Sequence, residues 1–329
     1  MSSQIMGQMT GQMTDQPIRG VYIVANEKVG DNAIALLASL RRHDPDVPVY
    51  MIPFNDNYQT LFQTINAAYQ VQLFPDLEFL ETFTQKISEI FPRDFLALPN
   101  KMRKLAAWFG PLDEFLYIDT DILFFEPVSN ALAYLDQADF ICCDYHFKGR
   151  KLRDVFSPTV IESGIFPADI VNSVFNSGLW GSKKGTITLD QMYQRLEECA
   201  QNRDYFDFSG GTTDQPIMNY LVLSSIDKRL NIVQVNPNEP GSWGGMKHFV
   251  ARAQVLYDGD TRLRYLHWAG TPMGPGGPYR ELWEYYRYLD NPEARPLARK
   301  STSQLQRQLQ RQPLRKLKQI IAWLTQRKN

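Results

Sequence analysis

Hydrophobic and polar positions first fall into order at Val21-Tyr22-Ile23-Val24-Ala25. These five β-prone residues stop at Asn26 and are followed by an apolar-periodic stretch from Asn32 to Leu40. That spacing predicts strand, loop and helix in turn. Val47 to Pro53 repeats the strand pattern and Tyr58 to Tyr69 the helical one. From Pro99 to Phe109, Lys101, Arg103 and Lys104 interleave with Met102, Leu105, Ala106, Trp108 and Phe109, which predicts another helix, broken at Pro111. Phe115-Leu116-Tyr117-Ile118 then reads as a strand buried on both faces, because no polar residue alternates along it. Strands and helices alternating in this way predict an α/β domain with a largely parallel sheet, whose ligands gather at the carboxyl ends of strands. Asn26 stands at one such end and Asp119 at another.

Two carboxylates, Asp119 and Asp121, interrupt the apolar run before Ile122-Leu123-Phe124-Phe125 resumes it. Acids placed in what would otherwise be core need a cation. An Asp-x-Asp triplet alone carries little weight, since Asp44-Pro45-Asp46 and Asp258-Gly259-Asp260 have the same form and read as solvated loop acids. The alternative for the middle triplet is a pair that caps the strand end by bonding nearby amides. Later segments rich in turn formers, Phe208-Ser209-Gly210-Gly211, Ser242-Trp243-Gly244-Gly245 and Thr271 to Pro278, predict loops that let backbone approach a ligand.

Composition narrows the picture. With 329 residues, 43% hydrophobic and 12% aromatic, the chain suits a well-packed globular enzyme and not disorder throughout. The formal charge of -1 conceals a division: residues 295–329 hold ten Lys or Arg and no acid, leaving a balance of -11 in residues 1–294. Three cysteines, two adjacent as Cys142-Cys143 in an apolar run, form neither a disulfide framework nor a zinc site and suit a reducing compartment. Residues 1–19 repeat a Met-Gly-Gln-Met-Thr-like unit without a basic start or an apolar core, which predicts a disordered leader and not a secretory signal. No apolar run approaches the roughly 20 residues that span a bilayer, so the expected location is cytoplasmic. At the other end, residues 291–329 are expected to form a basic tail. Pro313 to Leu324 places Leu314, Leu317, Ile320, Ile321 and Leu324 on one helical face with Arg315, Lys316 and Lys318 around it. Such an amphipathic helix over residues 297–329 suits an anionic membrane surface, while a helix packed on the domain or a partner-binding tail stays open. Nucleic acid is not expected, because no base-reading motif accompanies the charge.

Several of these motifs together resemble the glycogenin-like retaining glycosyltransferases, family 8-like enzymes with the GT-A fold. Lys104-Leu105-Ala106-Ala107-Trp108 ahead of Tyr117-Ile118-Asp119-Thr120-Asp121 is similar to the family's Lys-Leu-x-x-Trp helix before its metal-binding strand end. Phe175-Asn176-Ser177-Gly178 matches the family's Asn-Ser-Gly turn, Asp214-Gln215-Pro216-Ile217-Met218-Asn219 its Asp-Gln-x-x-Leu-Asn element, and His267-Trp268-Ala269-Gly270 its His-x-x-Gly. The elements occur in the family's order across roughly residues 20–285, and Val24-Ala25-Asn26 is similar to its nucleoside-binding strand end.

The resemblance implies a catalytic domain over residues 20–290: a single Rossmann-like mixed sheet flanked by helices, with a C-terminal helical tail. It implies metal ligands Asp119, Asp121 and His267 for Mn²⁺ or Mg²⁺, and Asp214, Gln215 and Asn176 near the reacting carbon. Val24, Ala25, Asn26, Lys104, Asp119, Gly178 and Gly270 would line the donor. The implied activity moves a hexose from a nucleoside-diphosphate sugar, UDP-hexose favoured, to a hydroxyl on a glycan or lipid-linked acceptor with retention of configuration. Plain alternatives stand beside each role: Asn176 as a turn residue, Asp214 as a helix N-cap, His267 as a half-buried structural histidine, Lys104 as a solvated charge.

Two departures stand out. Gly270 is followed by Thr271-Pro272-Met273, where the family carries Lys-Pro-Trp, so phosphate charge would have to be met by Lys247, Arg280 or loop amides. The family's aromatic after the first strand is replaced by Val29 or its neighbours. A catalytically silent scaffold that binds nucleotide or a partner, and a sugar nucleotidyltransferase, remain as alternatives.

Overall fold

The alternation in the sequence becomes a seven-stranded mixed sheet. The computed structural model describes residues 16–144, 155–208 and 214–296. The sheet order is β3 (Gln72–Leu73), β2 (Val49–Pro53), β1 (Arg19–Ala25), β4 (Glu114–Ile118), β7 (Leu179–Lys183), β6 (Phe140–Cys142) and β8 (Arg229–Asn231). Strands β1 to β4 in this sheet run parallel, β7 is antiparallel to both its neighbours, and β6 pairs parallel with β8. Among the described residues, only β7 is reversed. The carboxyl ends of β1, β2, β4, β6 and β8 therefore share one edge with the amino end of β7, and residues far apart in sequence meet there.

Both faces of the sheet are covered, as the uninterrupted apolar strands require. Along β1, Tyr22 packs with Phe74, Phe83, Trp108 and Trp180, while Val21 and Ile23 point to the opposite face with Leu36 and Leu37. Strand β4 divides in the same way, with Phe115 and Tyr117 on the first face and Leu116 and Ile118 on the second. The period of two that strands impose thus feeds two cores at once. Helices α1 (Gly30–His43) and α2 (Gln59–Tyr69) follow the first strands as the periodicity predicts, and α3 (Leu77–Ile90) comes after β3. Two later helices, α4 (Leu189–Gln201) and α5 (Gln215–Ser225), contribute Met192, Leu196, Ile217 and Met218 to the first face.

Pro99–Phe109 is helical but winds as a 3-10 helix of 11 residues, long for that geometry. Met102 through Trp108 are all buried, and the element is tied at several points. Arg103 donates to Pro53 O (2.8 Å) and to Thr84 Oγ1 (2.8 Å), and Trp108 Nε1 donates to Ser182 Oγ (3.0 Å). Tertiary ties at Arg103 and Trp108 hold it at its middle and its end.

Beyond the sheet, β5 (Ile122–Phe124) pairs antiparallel with β12 (Tyr265–His267), and β9 (Val250–Arg252), β10 (Val255–Asp258) and β11 (Thr261–Arg262) form a small meander. A third apolar cluster, with Leu123, Phe125, Leu266 and Trp268, is completed by Leu282, Trp283 and Tyr286 of α6 (Arg280–Arg287). The chain divides at Leu289, and the second unit starts at Asp290. Of that unit, residues 290–296 are described and contain a 3-10 turn, Pro292–Ala294. Residues 1–15 of the expected leader and the amphipathic stretch 297–329 lie outside the described residues. No helix among those described is long and apolar enough to cross a membrane.

Candidate metal and donor site

Asp119 leaves β4 at the shared edge, and its backbone N–H donates to Gly178 O at 2.7 Å, continuing the ladder in which Ile118 faces Leu179. Two residues later Asp121 leads into β5, whose Ile122 lies opposite His267 of β12, and Trp268 N donates to Asp121 O at 3.1 Å. The apolar strands on either side of the acids therefore belong to two different sheets. The acids occupy the corner between them.

One ligand atom each from Asp119, Asp121 and His267 lies within 4.8 Å of the others, with His267 Nε2 3.3 Å from Asp121 Oδ1. His267 is buried, whereas the two carboxylate side chains are 34% and 31% exposed, which leaves the group open on one side. Two carboxylates and one imidazole form a donor set that suits a divalent ion with further positions for phosphate oxygens. Gly178 makes room for it: a Cβ there would run into the His267 ring and stand 2.8 Å from Asp119 Oδ2. Backbone bonds fix the histidine, whose N–H donates to Ser242 O (2.7 Å) while its carbonyl accepts from Gly244 N (2.7 Å).

Behind this group lies a buried ammonium. Lys104 Nζ is 2.7 Å from Asp214 Oδ2 and 3.6 Å from Asp119 Oδ1, donates to Ser177 O (3.2 Å), and stands 4.8 Å from the centre of the Tyr117 ring. It is no solvated helix charge. Burial would lower its pKa, but Asp119 and Asp214 outweigh burial and raise it. For Asp214, burial pushes the carboxyl up, but Lys104 overcomes this and holds it below the ordinary range. Burial pushes Asp119 up, opposed by Lys104 and reinforced by Asp121, while Asp121 is held down because His267 outweighs its burial. The same attraction raises His267 against its own desolvation. A bound cation would reverse much of this balance by favouring both carboxylates and the neutral imidazole.

Asn176, Ser177 and Gly178 enter β7 through a tight turn. Asn176 Oδ1 accepts from Gly178 N (2.9 Å), so the turn role of Asn176 is real and leaves its amide NH₂ outside the turn. Ser177 Oγ donates to Asp214 Oδ2 (3.1 Å), and its N–H donates to Gln215 Oε1 (3.4 Å). Asp214 precedes α5 as expected for an N-cap, yet its carboxylate makes no capping bond; it is engaged by Lys104 and Ser177. Buried Asn219, one turn into the helix, accepts from Phe175 N and donates to Phe175 O, both at 2.8 Å, locking α5 to the turn.

At the end of β1, Val24 packs against the aromatic core and Ala25 is sealed, its carbonyl accepting from Phe54 N (2.9 Å). Asn26 reaches the edge, accepts from Lys28 N (3.1 Å) and donates to Asn55 Oδ1 (3.3 Å). Gly270 sits in an exposed turn at φ 62°, a conformation that favours glycine. Lys247 is exposed and makes no hydrogen bond or ion pair with the site's described residues. Arg280 is held by Glu284 (3.0 Å) and Met273 O (2.7 Å) and lies 3.8 Å above Trp283.

The structure adds two residues that sequence reasoning missed. Tyr117 Oη donates to Asp119 Oδ1 (2.5 Å). Asp144, buried just beyond β6, accepts from Asn176 N and lines a small cavity with Asn176, Trp243, Tyr265 and His267. The run Phe140-Ile141-Cys142-Cys143 ending in an acid carries the same signal that singled out Asp119.

No protein-family model matches the chain, and no curated protein matches it in sequence. Solved structures do. An active-site Gln-to-Glu mutant of LgtC superposes with a TM-score of 0.55 at 13% identity, covering 85% of this chain and 98% of that one. The galactosyltransferase LgtC in complex with donor and acceptor sugar analogues gives 0.53 at 13% identity over the same shares, 85% and 98%. The chain has the GT-A fold. A bifunctional glycosyltransferase, WbbM, matches at a TM-score of 0.50 and 13% identity, over 83% of this chain but half of its own length (50%). In GT-A terms, the corner that holds Asp119 and Asp121 lies at the carboxyl edge of the sheet, where α/β folds bind ligands.

Proposed function

We propose that this chain is a metal-dependent glycosyltransferase that moves a hexose from a nucleoside-diphosphate sugar to a hydroxyl acceptor. The observation that carries the reading is the convergence of Asp119, Asp121 and His267 within 4.8 Å at the sheet edge, with Gly178 clearing the space beside them. A nucleoside-diphosphate leaving group gathers negative charge on its phosphate oxygens, and Asp119, Asp121 and His267 would hold a Mn²⁺ or Mg²⁺ whose positive charge would stabilise that build-up. Lys104 holds Asp119 and Asp214 in place. Asp214, kept ionised by Lys104, offers negative charge to a sugar whose anomeric carbon becomes positive, while the NH₂ groups of Asn176 and Gln215 are the donors available for its hydroxyls. Retention of configuration and a UDP-hexose donor follow from the family resemblance. The basic stretch 297–329 suits attachment to an anionic membrane surface, which favours a lipid-linked or envelope glycan as acceptor.

The test is nucleotide release. UDP-glucose and related donors, incubated with Mn²⁺, should yield UDP by hydrolysis or transfer, and Asp121→Ala should lose this by at least a hundredfold while remaining folded. Release that ignores Mn²⁺ or survives in Asp121→Ala would overturn the reading, and binding without any turnover would favour the silent scaffold. An anomeric-proton NMR spectrum of the first product decides retention against inversion.

A further inference from the structure

Two lysines of the 3-10 helix Pro99–Phe109 face the acidic end of the sheet in different circumstances. Lys104 is buried and fully committed to Asp214, Asp119 and the Ser177 carbonyl. Lys101 stands three residues earlier, which is one turn of a 3-10 helix, and side chains at that spacing eclipse. It therefore lies on the same face as Lys104, one layer nearer the helix start. It is partly exposed and, among the described residues, its side chain makes no hydrogen bond or ion pair. Its charge still reaches Asp214, whose carboxyl it helps to hold down.

The ties on either side of Lys101 fix where this face points. Its neighbour Asn100 donates to Phe54 O (2.6 Å), and Phe54 N in turn donates to Ala25 O (2.9 Å), so the helix start is pinned to the ends of β2 and β1. Lys104 pins the middle of the helix to Asp119 at the end of β4. Lys101 thus lies in the helix between Asn100, tied to the ends of β2 and β1, and Lys104, tied to the end of β4; we take the interval to be that between the Asn26 edge and the Asp119 corner. A donor with its nucleoside at the first and its sugar beside Asn176 and Asp214 must lay its two phosphates across that interval. Other basic side chains are engaged elsewhere or stand apart: Arg280 is bonded to Glu284 and stacked on Trp283, Arg103 is bonded to Pro53 O and Thr84, and Lys247 is exposed with no hydrogen bond or ion pair to the described residues of the site. We propose that Lys101 supplies the side-chain cation for the donor's diphosphate, with Lys104 held back as a buried strut between the two carboxylates. The proposal rests on the donor reading given above.

Calorimetric titration of UDP, with GDP alongside it as a second base, at saturating Mn²⁺ tests it. Lys101→Ala should weaken the better-bound nucleotide by about tenfold or more, as expected for loss of a charge-assisted contact. Lys101→Arg should bind within about threefold of wild type, Lys247→Ala should be unchanged, and the Mn²⁺ affinity and melting temperature of Lys101→Ala should match wild type. Undiminished nucleotide affinity in Lys101→Ala, or an equal loss in Lys247→Ala, would overturn the assignment. A wild-type protein that binds neither nucleotide would overturn the donor reading itself, a failure distinguishable from that of Lys101 alone.

Discussion

Gly178 leaves space beside Asp119, Asp121 and His267, the group proposed to hold the ion. Any side chain there would intrude on the His267 ring and on Asp119 Oδ2, two members of the proposed ligand set. Gly178→Ala should therefore lower Mn²⁺ affinity by about 10- to 100-fold, the range typical of changes that displace metal ligands, without altering the circular dichroism spectrum. Electron paramagnetic resonance titration measures this, and wild-type affinity in the variant would show that the ligands do not sit as described. At this scale the sequence was informative where acids break an apolar run, as at Asp119 and Asp121. It was silent on pairings made across distance. Asp144 gains its role from the Asn176 amide 32 positions away, and Asp214 turns from capping to Lys104 because that ammonium is buried beside it. Neither partner is visible from local spacing.

Among the elements, strands and early helices follow their periodicity closely, while the 3-10 helix buries Met102 through Trp108 all round and so shows no single apolar stripe. Strand β12 begins at Tyr265, after Leu263 N has donated to Leu256 O of the meander and the chain has turned to pair with β5. Helix α1 carries an element-scale consequence for pH. His43 lies in its last turn, where a charged imidazole would suit the helix dipole. Burial, aided by Arg262 and Arg42, instead pushes its pKa down to about 4, and its Nε2 is buried with no partner among the described residues. Unfolded, the group titrates near 6.5. Below that pH the unfolded chain takes up a proton that the folded chain refuses, so this contribution is intact above about 6.5 and drains away as pH falls toward 4. Melting temperatures of His43→Gln should accordingly fall less steeply than those of wild type between pH 7 and 4.5, and parallel curves would contradict the assignment.

Across the whole molecule, one reversed strand organises the site. Because β7 alone runs against the sheet, its leading turn Asn176-Ser177-Gly178 meets the trailing ends of β4 and β6, and β5 with β12 brings His267 across the corner. Alternating periodicity made the α/β class legible, and the ordered series of motifs made the GT-A fold legible. The position of β7 in the sheet follows from packing on both faces, which no local pattern specifies. Everything proposed for the reaction depends on Asp119, Asp121 and His267 acting together on one ion. The direct measurement is the stoichiometry of Mn²⁺ bound to the purified protein, followed by electron paramagnetic resonance in wild type, Asp121→Ala and His267→Ala. One ion per chain, with affinity raised by added UDP and lost in both variants, is the expected result; no bound ion, or binding that persists in both variants, would contradict the account.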